Sequence, residues 1–488
     1  MEQWKTGPFR NYIDGNWVDA SNGSRRIDEN PGNLREELAV FPSATREDAA
    51  RAIDAARKAF PAWAKTPSVK RGDFLHKAAN WVDARLDEIA EALTREEGKT
   101  FAESKGEVSR GVSILRYYAG ECMQPSGEVY PSSNSATLLY ADRVPLGVIG
   151  LITPWNFPIA IPVWKIAPAL AYGNALVFKP AELTPLTAWY IVKGFEESGL
   201  PPGVLNLVVG GGSQAGQEIV ENTAVKAVSF TGSNEVGRRI GAQVVTRGGK
   251  AQLEMGGKNP IVILNDADIA RAVELTVQGA MLSTGQKCTA TSRAIVVRDV
   301  AGSFRDALEA RVRQLRVGDG MKPGVYMGPL VSADAEKTVL SFIEIGKQEG
   351  ARLVSGGEKF RGDEYEHGYF VRPTVFDRVT PDMRIAQEEI FGPVVGIIEA
   401  RDVDDAITIA NHTRFGLSAS VVTRDLNLAL RFTREIEAGL VHINSMTAGA
   451  EPQVPFGGFK DSSSGSREQG KAAREFFTQW KTVYMDPL

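Results

Sequence analysis

Cys288 lies in STGQKCTATSR (residues 283–293), a run of small polar residues that also holds Lys287 and Arg293. It is one of two cysteines in 488 residues. A solitary cysteine is usually a small buried hydrophobe. A nucleophilic one needs access and surroundings that favour the thiolate, which Lys287 and the polar run suit without proving. Glu254, in LEMGGKNP, ends a strand-like run against Gly256 and Gly257. A carboxylate at a strand end of an open α/β sheet is placed for ligand chemistry, although the segment taken alone reads more simply as a surface glutamate. Asn156, in TPWNFP, sits between an apolar strand and an apolar helix. Its amide is either a turn former or a donor to a developing oxyanion.

Two segments have the chemistry of anion sites. In FTGSNEVG (residues 230–237) a strand ends at Phe230, Gly232 permits close backbone approach and Ser233 can cap the next helix. Free N–H groups at a helix start attract phosphate, and an ordinary capped helix has the same pattern. Gly210, Gly212 and Ala215 spell G-x-G-x-x-A after VLNLVV, but the acidic residue that follows about 20 positions later in dinucleotide sites is missing. His76, His367, His412 and His442 are scattered without metal-ligand spacing, so no metal is expected. A Cys–His hydrolase would need a proximity that the sequence does not display. Cys122, in YYAGECMQ, follows an aromatic helical pattern and reads as core packing.

The elements that must hold these residues follow a rhythm from about residue 147. GVIGLI precedes a helical pattern at 158–171, ALVF one at 185–199, VLNLVV one at 213–221 and AVSF one at 233–246; KAQLEM then leads to PIVIL. Such alternation predicts a parallel α/β sheet. A second α/β region is expected from near 268, with AIVV (294–297), a charged helix at 301–316 and the strands VVGIIE and LVHI. Residues 45–120 read mostly as helices, one starting after Thr45. Residues 124–145 predict an extended arm or hairpin, and FFTQWKTVYM a terminal strand. Residues 144–164 are uncharged over about the length a bilayer needs. Their four prolines suit a buried strand at 147–152, a turn and a helix from Pro158 better than one spanning helix.

Length suggests two to four domains. The composition, 43% hydrophobic and 24% charged, is that of a soluble globular protein. A net charge of −4 without a long basic run argues against nucleic acid as a partner. Two cysteines make no disulfide framework, which suits a reducing cytoplasm, and MEQWKTGPFRNYIDG has no apolar signal segment.

Taken in order, TPWNFP, FKPAELTP, FTGSNEVG, LEMGGKNP, GQKCTATSR, EEIFGP and PFGG resemble the aldehyde dehydrogenase superfamily over essentially the whole chain. The resemblance implies an α/β fold: a Rossmann-like NAD(P)-binding domain (1–122 and 146–254), an α/β catalytic domain (255–466) and a small oligomerisation sheet (123–145 and 467–488). It implies an oxidoreductase using NAD or NADP on a small aldehyde, assembled as a homodimer or a dimer of dimers. Cys288 would be the nucleophile, Asn156 and the Cys288 N–H the oxyanion donors, Glu254 the base that activates water, and Lys165 a proton relay. Thr153, Pro154 and Trp155 would line the cofactor at a strand end, with Gly212, Phe230, Thr231, Gly232, Ser233 and Val236 around its phosphates. Lys179 and Glu182 would hold the adenosine ribose, and Glu389 with Phe391 the nicotinamide ribose. Glu182 would repel a 2′-phosphate, which favours NAD.

STGQKCTATSR, LRYYAGE and SSSGSREQG together resemble the α-ketoglutaric semialdehyde (2,5-dioxopentanoate) branch of that superfamily. That implies a substrate ending in a carboxylate, whose tunnel needs a cation or several donors. Arg116 and Lys287 are the expected cations, beside Trp164, Thr289 and Phe456. Ser445, Thr447 and Glu451 are expected to make a polar mouth. Succinic semialdehyde dehydrogenases are similar but place an arginine where Trp164 stands. A coenzyme A-acylating relative is the other alternative, and Glu254, as a base for hydrolysis, argues against it.

Overall fold

The computed structural model describes residues 9–487. Residues 1–8, part of the segment read as lacking a signal, lie outside the described residues. Two large sheets dominate. The first has eight strands, and its five central ones are parallel: Leu205–Leu207, Ala175–Lys179, Val148–Ile152, Val225–Thr231 and Lys250–Glu254, in that spatial order. In chain order these are third, second, first, fourth and fifth. The direction of winding therefore reverses between Val148–Ile152 and Val225–Thr231, and such a reversal opens a crevice at the strands' carboxyl ends.

The uncharged run at 144–164 divides as its prolines require. All of Val148–Ile152 is buried, because helices cover both faces of the sheet. A turn follows, then the helix Ala160–Ala171, with Pro162 in its first turn, where the missing N–H costs no helical bond. Among the described residues no helix is long and apolar enough to cross a membrane. The predicted helix after Thr45 is Arg46–Lys65, closed at its start by a Thr45/Asp48 capping box. Thr100 and Glu103 make the same box for Phe101–Glu121.

The second sheet has seven strands, all parallel except the edge strand Arg352–Ser355: Arg352–Ser355, Thr374–Asp377, Val394–Ala400, Thr291–Val297, Asn259–Ile263, Ser418–Val422 and Leu440–Ile443. Here one expectation needs correction. PIVIL does not continue the first series: Asn259–Ile263 pairs with Thr291–Val297 and Ser418–Val422. The second region thus starts before residue 268, because the extended Met255–Lys258 link carries the chain across without a helix. The charged helix is Arg298–Val312, earlier than 301–316. The G-x-G-x-x-A segment forms one π turn, Gly212–Gly216, and the short helix Gln217–Glu221.

A third, three-stranded antiparallel sheet joins Gly127–Tyr130, Leu138–Pro145 and the terminal strand Thr478–Met485. The arm and the tail, far apart in sequence, are therefore one element. At the edge of the first sheet, Ser463–Ser464 pairs antiparallel with Leu253 and Glu254.

Candidate active site

Cys288 opens onto a cavity of about 280 Å³. Its loop follows the helix Ile269–Met281 and a tight turn in which Ser283 and Thr284 take left-handed φ of 53° and 56°. Two constraints fix the backbone at Cys288. The Asn259 amide donates to the carbonyls of Cys288 and Ala290 at 2.8 and 2.9 Å. A Cβ on Gly257 would lie 2.5 Å from the Cys288 carbonyl, so only glycine lets the loop dock there. The Asn156 amide donates to the Gln286 carbonyl at 2.9 Å, and its Oδ1 has no partner among the described residues. The structure thus brings Asn156 against the nucleophile loop. None of the four histidines lines the cavity, which removes the arrangement a Cys–His hydrolase needs.

Desolvation, with Glu389 and Glu254 nearby, pushes the Cys288 thiol up to about 12. Glu254 is buried at its strand end and does not line the cavity. Its Oε2 accepts from the Ser463 hydroxyl at 2.5 Å, while Oε1 has no partner among the described residues. Burial first, and Glu468 second, hold its carboxyl well above the usual range. Lys165 does not touch Glu254: its Nζ donates to the Ser229 hydroxyl at 2.7 Å and pairs with Glu468. Ser463 and Glu468 were not singled out from the sequence, because only long-range pairing delivers them to Glu254.

The cofactor candidates gather at the carboxyl ends of the first sheet. Thr153, Pro154 and Trp155 follow Val148–Ile152, Phe230 and Thr231 end their strand, and Gly232 donates to the Glu254 carbonyl at 3.0 Å. Ser233 has the N-cap backbone conformation of the helix Asn234–Thr246, yet its hydroxyl makes no cap bond, contrary to the capping role expected of it. That leaves the helix's first N–H groups and the hydroxyl open to an external anion. Val236 sits half-buried in this helix. Lys179 ends its strand with Nζ on the Pro180 carbonyl, and burial lowers it to about 8. Glu182 meets Arg26 at 3.5 Å, and its carboxylate lies beside Gly211, next to Gly212. Across the crevice, Glu389 accepts from the Gly257 N–H at 3.0 Å, and burial pushes it up to about 7. Phe391, at φ 57°, meets Trp155 edge to face with centroids 5.4 Å apart.

Trp164, Lys287, Thr289 and Phe456 line the cavity; Arg116 does not. It projects from the other side of Phe101–Glu121 and pairs with Asp83 at 2.8 Å on the surface. The cation that this helix gives the cavity is Arg110, which was not singled out from the sequence. A stripe of Glu103, Glu107 and Arg110 at helical spacing was the signal available. The polar mouth also needs correction: Met446, Ala448, Gly449 and Ala450 form the wall. Thr447 is fully buried and ties this segment to Thr291 and to the Thr289 carbonyl, at 2.8 and 2.7 Å.

Residues 17–483 match the model of the aldehyde dehydrogenase family. The chain is 51% identical to an α-ketoglutaric semialdehyde dehydrogenase of Bacillus subtilis, covering 98% of each chain. It is 44% identical to a 2,5-dioxopentanoate dehydrogenase of Saccharolobus solfataricus, covering 96% of this chain and 97% of that one. Among solved structures, betaine aldehyde dehydrogenase of Staphylococcus aureus in complex with NAD+ superposes with a TM-score of 0.97 at 36% identity, covering 99% of this chain and 96% of the other.

Proposed function

The chain belongs to the aldehyde dehydrogenase family, and from that premise we propose that it oxidises 2,5-dioxopentanoate to 2-oxoglutarate with NAD. The substrate reading is supported by full-length relatives of that name. The observation that carries it structurally is a cavity that puts one cysteine beside several cationic side chains.

In the proposed mechanism the Cys288 thiol releases its proton to solvent and its sulfur adds to the aldehyde carbon. Asn156 Nδ2 and the Cys288 N–H stabilise the oxyanion of the resulting thiohemiacetal. The crevice fits a dinucleotide, since the start of Asn234–Thr246 lacks a side-chain cap and Gly256, with no Cβ, admits Glu389. NAD, when bound, supplies the hydride acceptor that leaves Cys288 as a thioester. Glu254 then takes a proton from the attacking water through the unpartnered Oε1, with Ser463 holding Oε2. Lys165 and Glu468 are the neighbouring pair through which that proton is passed on. Lys179 and Glu182 hold the adenosine ribose, Ser233 faces the phosphates, and Glu389 with Phe391 holds the second ribose.

In this reading residues 1–122 and 146–254 bind the cofactor, 255–466 carry the chemistry, and 123–145 with 467–488 join subunits into a cytoplasmic homodimer or dimer of dimers. Steady-state rates with 2,5-dioxopentanoate, succinic semialdehyde and hexanal test the substrate. The highest kcat/KM is expected for 2,5-dioxopentanoate, and a higher value for hexanal would overturn the reading.

A further inference from the structure

We propose that Arg110 is the residue that binds the substrate's distal carboxylate, fixing the far end of the chain while the aldehyde carbon lies against Cys288. This rests on the reading of the substrate as a semialdehyde acid.

Five ionisable side chains besides the thiol line the cavity: Lys99, Glu103, Glu107, Arg110 and Lys287. Three of them are already satisfied by the protein. Glu103 accepts from the N–H and hydroxyl of both Thr100 and Ser283. Glu107 accepts from the N–H groups of Ile159 and Ala160 at 2.9 and 3.0 Å and from Lys99 at 2.7 Å. Lys99 spends its second donor on the Asn156 carbonyl at 2.7 Å. Two carboxylates and one ammonium therefore have their hydrogen-bonding capacity taken up by the protein, and the remaining lining charges are both cationic.

Of these two, Lys287 lies next to the nucleophile, and burial lowers it to about 8, within reach of deprotonation. Its Nζ makes only a 3.4 Å contact, with the Gln278 carbonyl. Arg110 cannot surrender its charge in this way. Its guanidinium is largely removed from water and lies 5.4 Å from the Trp164 ring centroid. It makes one long hydrogen bond, to Gln469 Oε1 at 3.4 Å. Its buried Nε has no partner, and it makes no ion pair among the described residues. Glu107 and the exposed Glu451 attract it through space, but neither makes a direct ion pair with it among the described residues. A buried, underbonded guanidinium on a ligand cavity leaves donor capacity for a planar anion, and carboxylate meets its fork in two parallel bonds. Phe157, Ile161 and Phe456 provide the apolar wall along which a short carbon chain would lie.

The test compares the wild type with Arg110→Leu and Arg110→Lys on 2,5-dioxopentanoate and on pentanal, which has the same length and no acid. The quantity read is the ratio of the two kcat/KM values. In Arg110→Leu this ratio falls about 10- to 100-fold, chiefly through KM for 2,5-dioxopentanoate, and Arg110→Lys recovers part of the loss. An unchanged ratio in Arg110→Leu overturns the assignment while leaving the substrate reading intact. A wild type that does not prefer 2,5-dioxopentanoate to pentanal overturns the substrate reading itself, and the assignment with it. The wild type offers a second measurement that needs no variant to fold. Glutarate should slow modification of Arg110 by phenylglyoxal, mapped by peptide mass, and pentanamide should not; equal modification with and without glutarate counts against the proposal.

Discussion

At the scale of single residues, burial disfavours the charged forms of the site's thiol and carboxyl. Cys288 is raised to about 12 and Glu254 is held well above its ordinary value, both mainly by burial. A raised thiol carries less thiolate at any pH below that value. In the protein without cofactor, alkylation of Cys288 by iodoacetamide should keep accelerating above pH 9, and a plateau near pH 9 would count against the assignment. Cys122, buried and raised to about 11, should react later in peptide mapping. Glu254→Gln should release one equivalent of NADH per active site and then turn over about 100-fold or more slowly, the loss expected of a missing general base. Loss of the first turnover instead would assign Glu254 to activating the thiol. Sequence motifs pointed to Cys288, Glu254 and Asn156 only when taken together and in order, because each run alone left a plainer reading open. They misplaced the cation. Arg116 and Arg110 are six residues apart on one helix, which turns them by roughly 240° relative to each other, so one faces solvent and the other the cavity.

At the scale of elements, Phe101–Glu121 is the organising helix. The Thr100/Glu103 box sets its start, and the same Glu103 holds the Ser283 end of the nucleophile turn. One turn later Glu107 reaches the N–H groups that open the helix carrying Trp164 and Lys165. Glu107→Gln keeps the shape but takes from buried Lys99 its 2.7 Å counter-charge, leaving Glu97 at 3.8 Å. It should cost about 3–5 kcal/mol, seen as a lower urea midpoint of the folded enzyme; Thr100→Ala should cost about 1 kcal/mol. Strands and capped helices were legible because burial pattern and caps are local. The point at which the chain changes sheets was not: PIVIL has the same apolar run whichever sheet it joins, and only its pairing with Thr291–Val297 decides.

At the scale of the whole molecule, the three-stranded sheet carries exposed apolar side chains on both faces. The register puts Val129, Leu138 and Met485 on one face, and Tyr484 on the other with Trp480, which is half-exposed beneath the Arg143 guanidinium at 4.0 Å. Apolar side chains gathered on a sheet edge invite another chain. Val129→Glu combined with Tyr484→Glu should shift the sedimenting species to lower mass, and an unchanged mass would place the subunit contact elsewhere. Ser463–Ser464, the strand that closes the first sheet, has a consequence for synthesis. The hydroxyl that steadies Glu254 arrives 209 residues after it, when the second sheet has already been made. During translation the first sheet must wait with an open edge at Glu254, and its last strand comes from beyond the second sheet in the chain. Glu254 therefore acquires its partner only when nearly the entire polypeptide has emerged, so a truncated product carries Cys288 but lacks the hydroxyl that holds the Glu254 carboxyl.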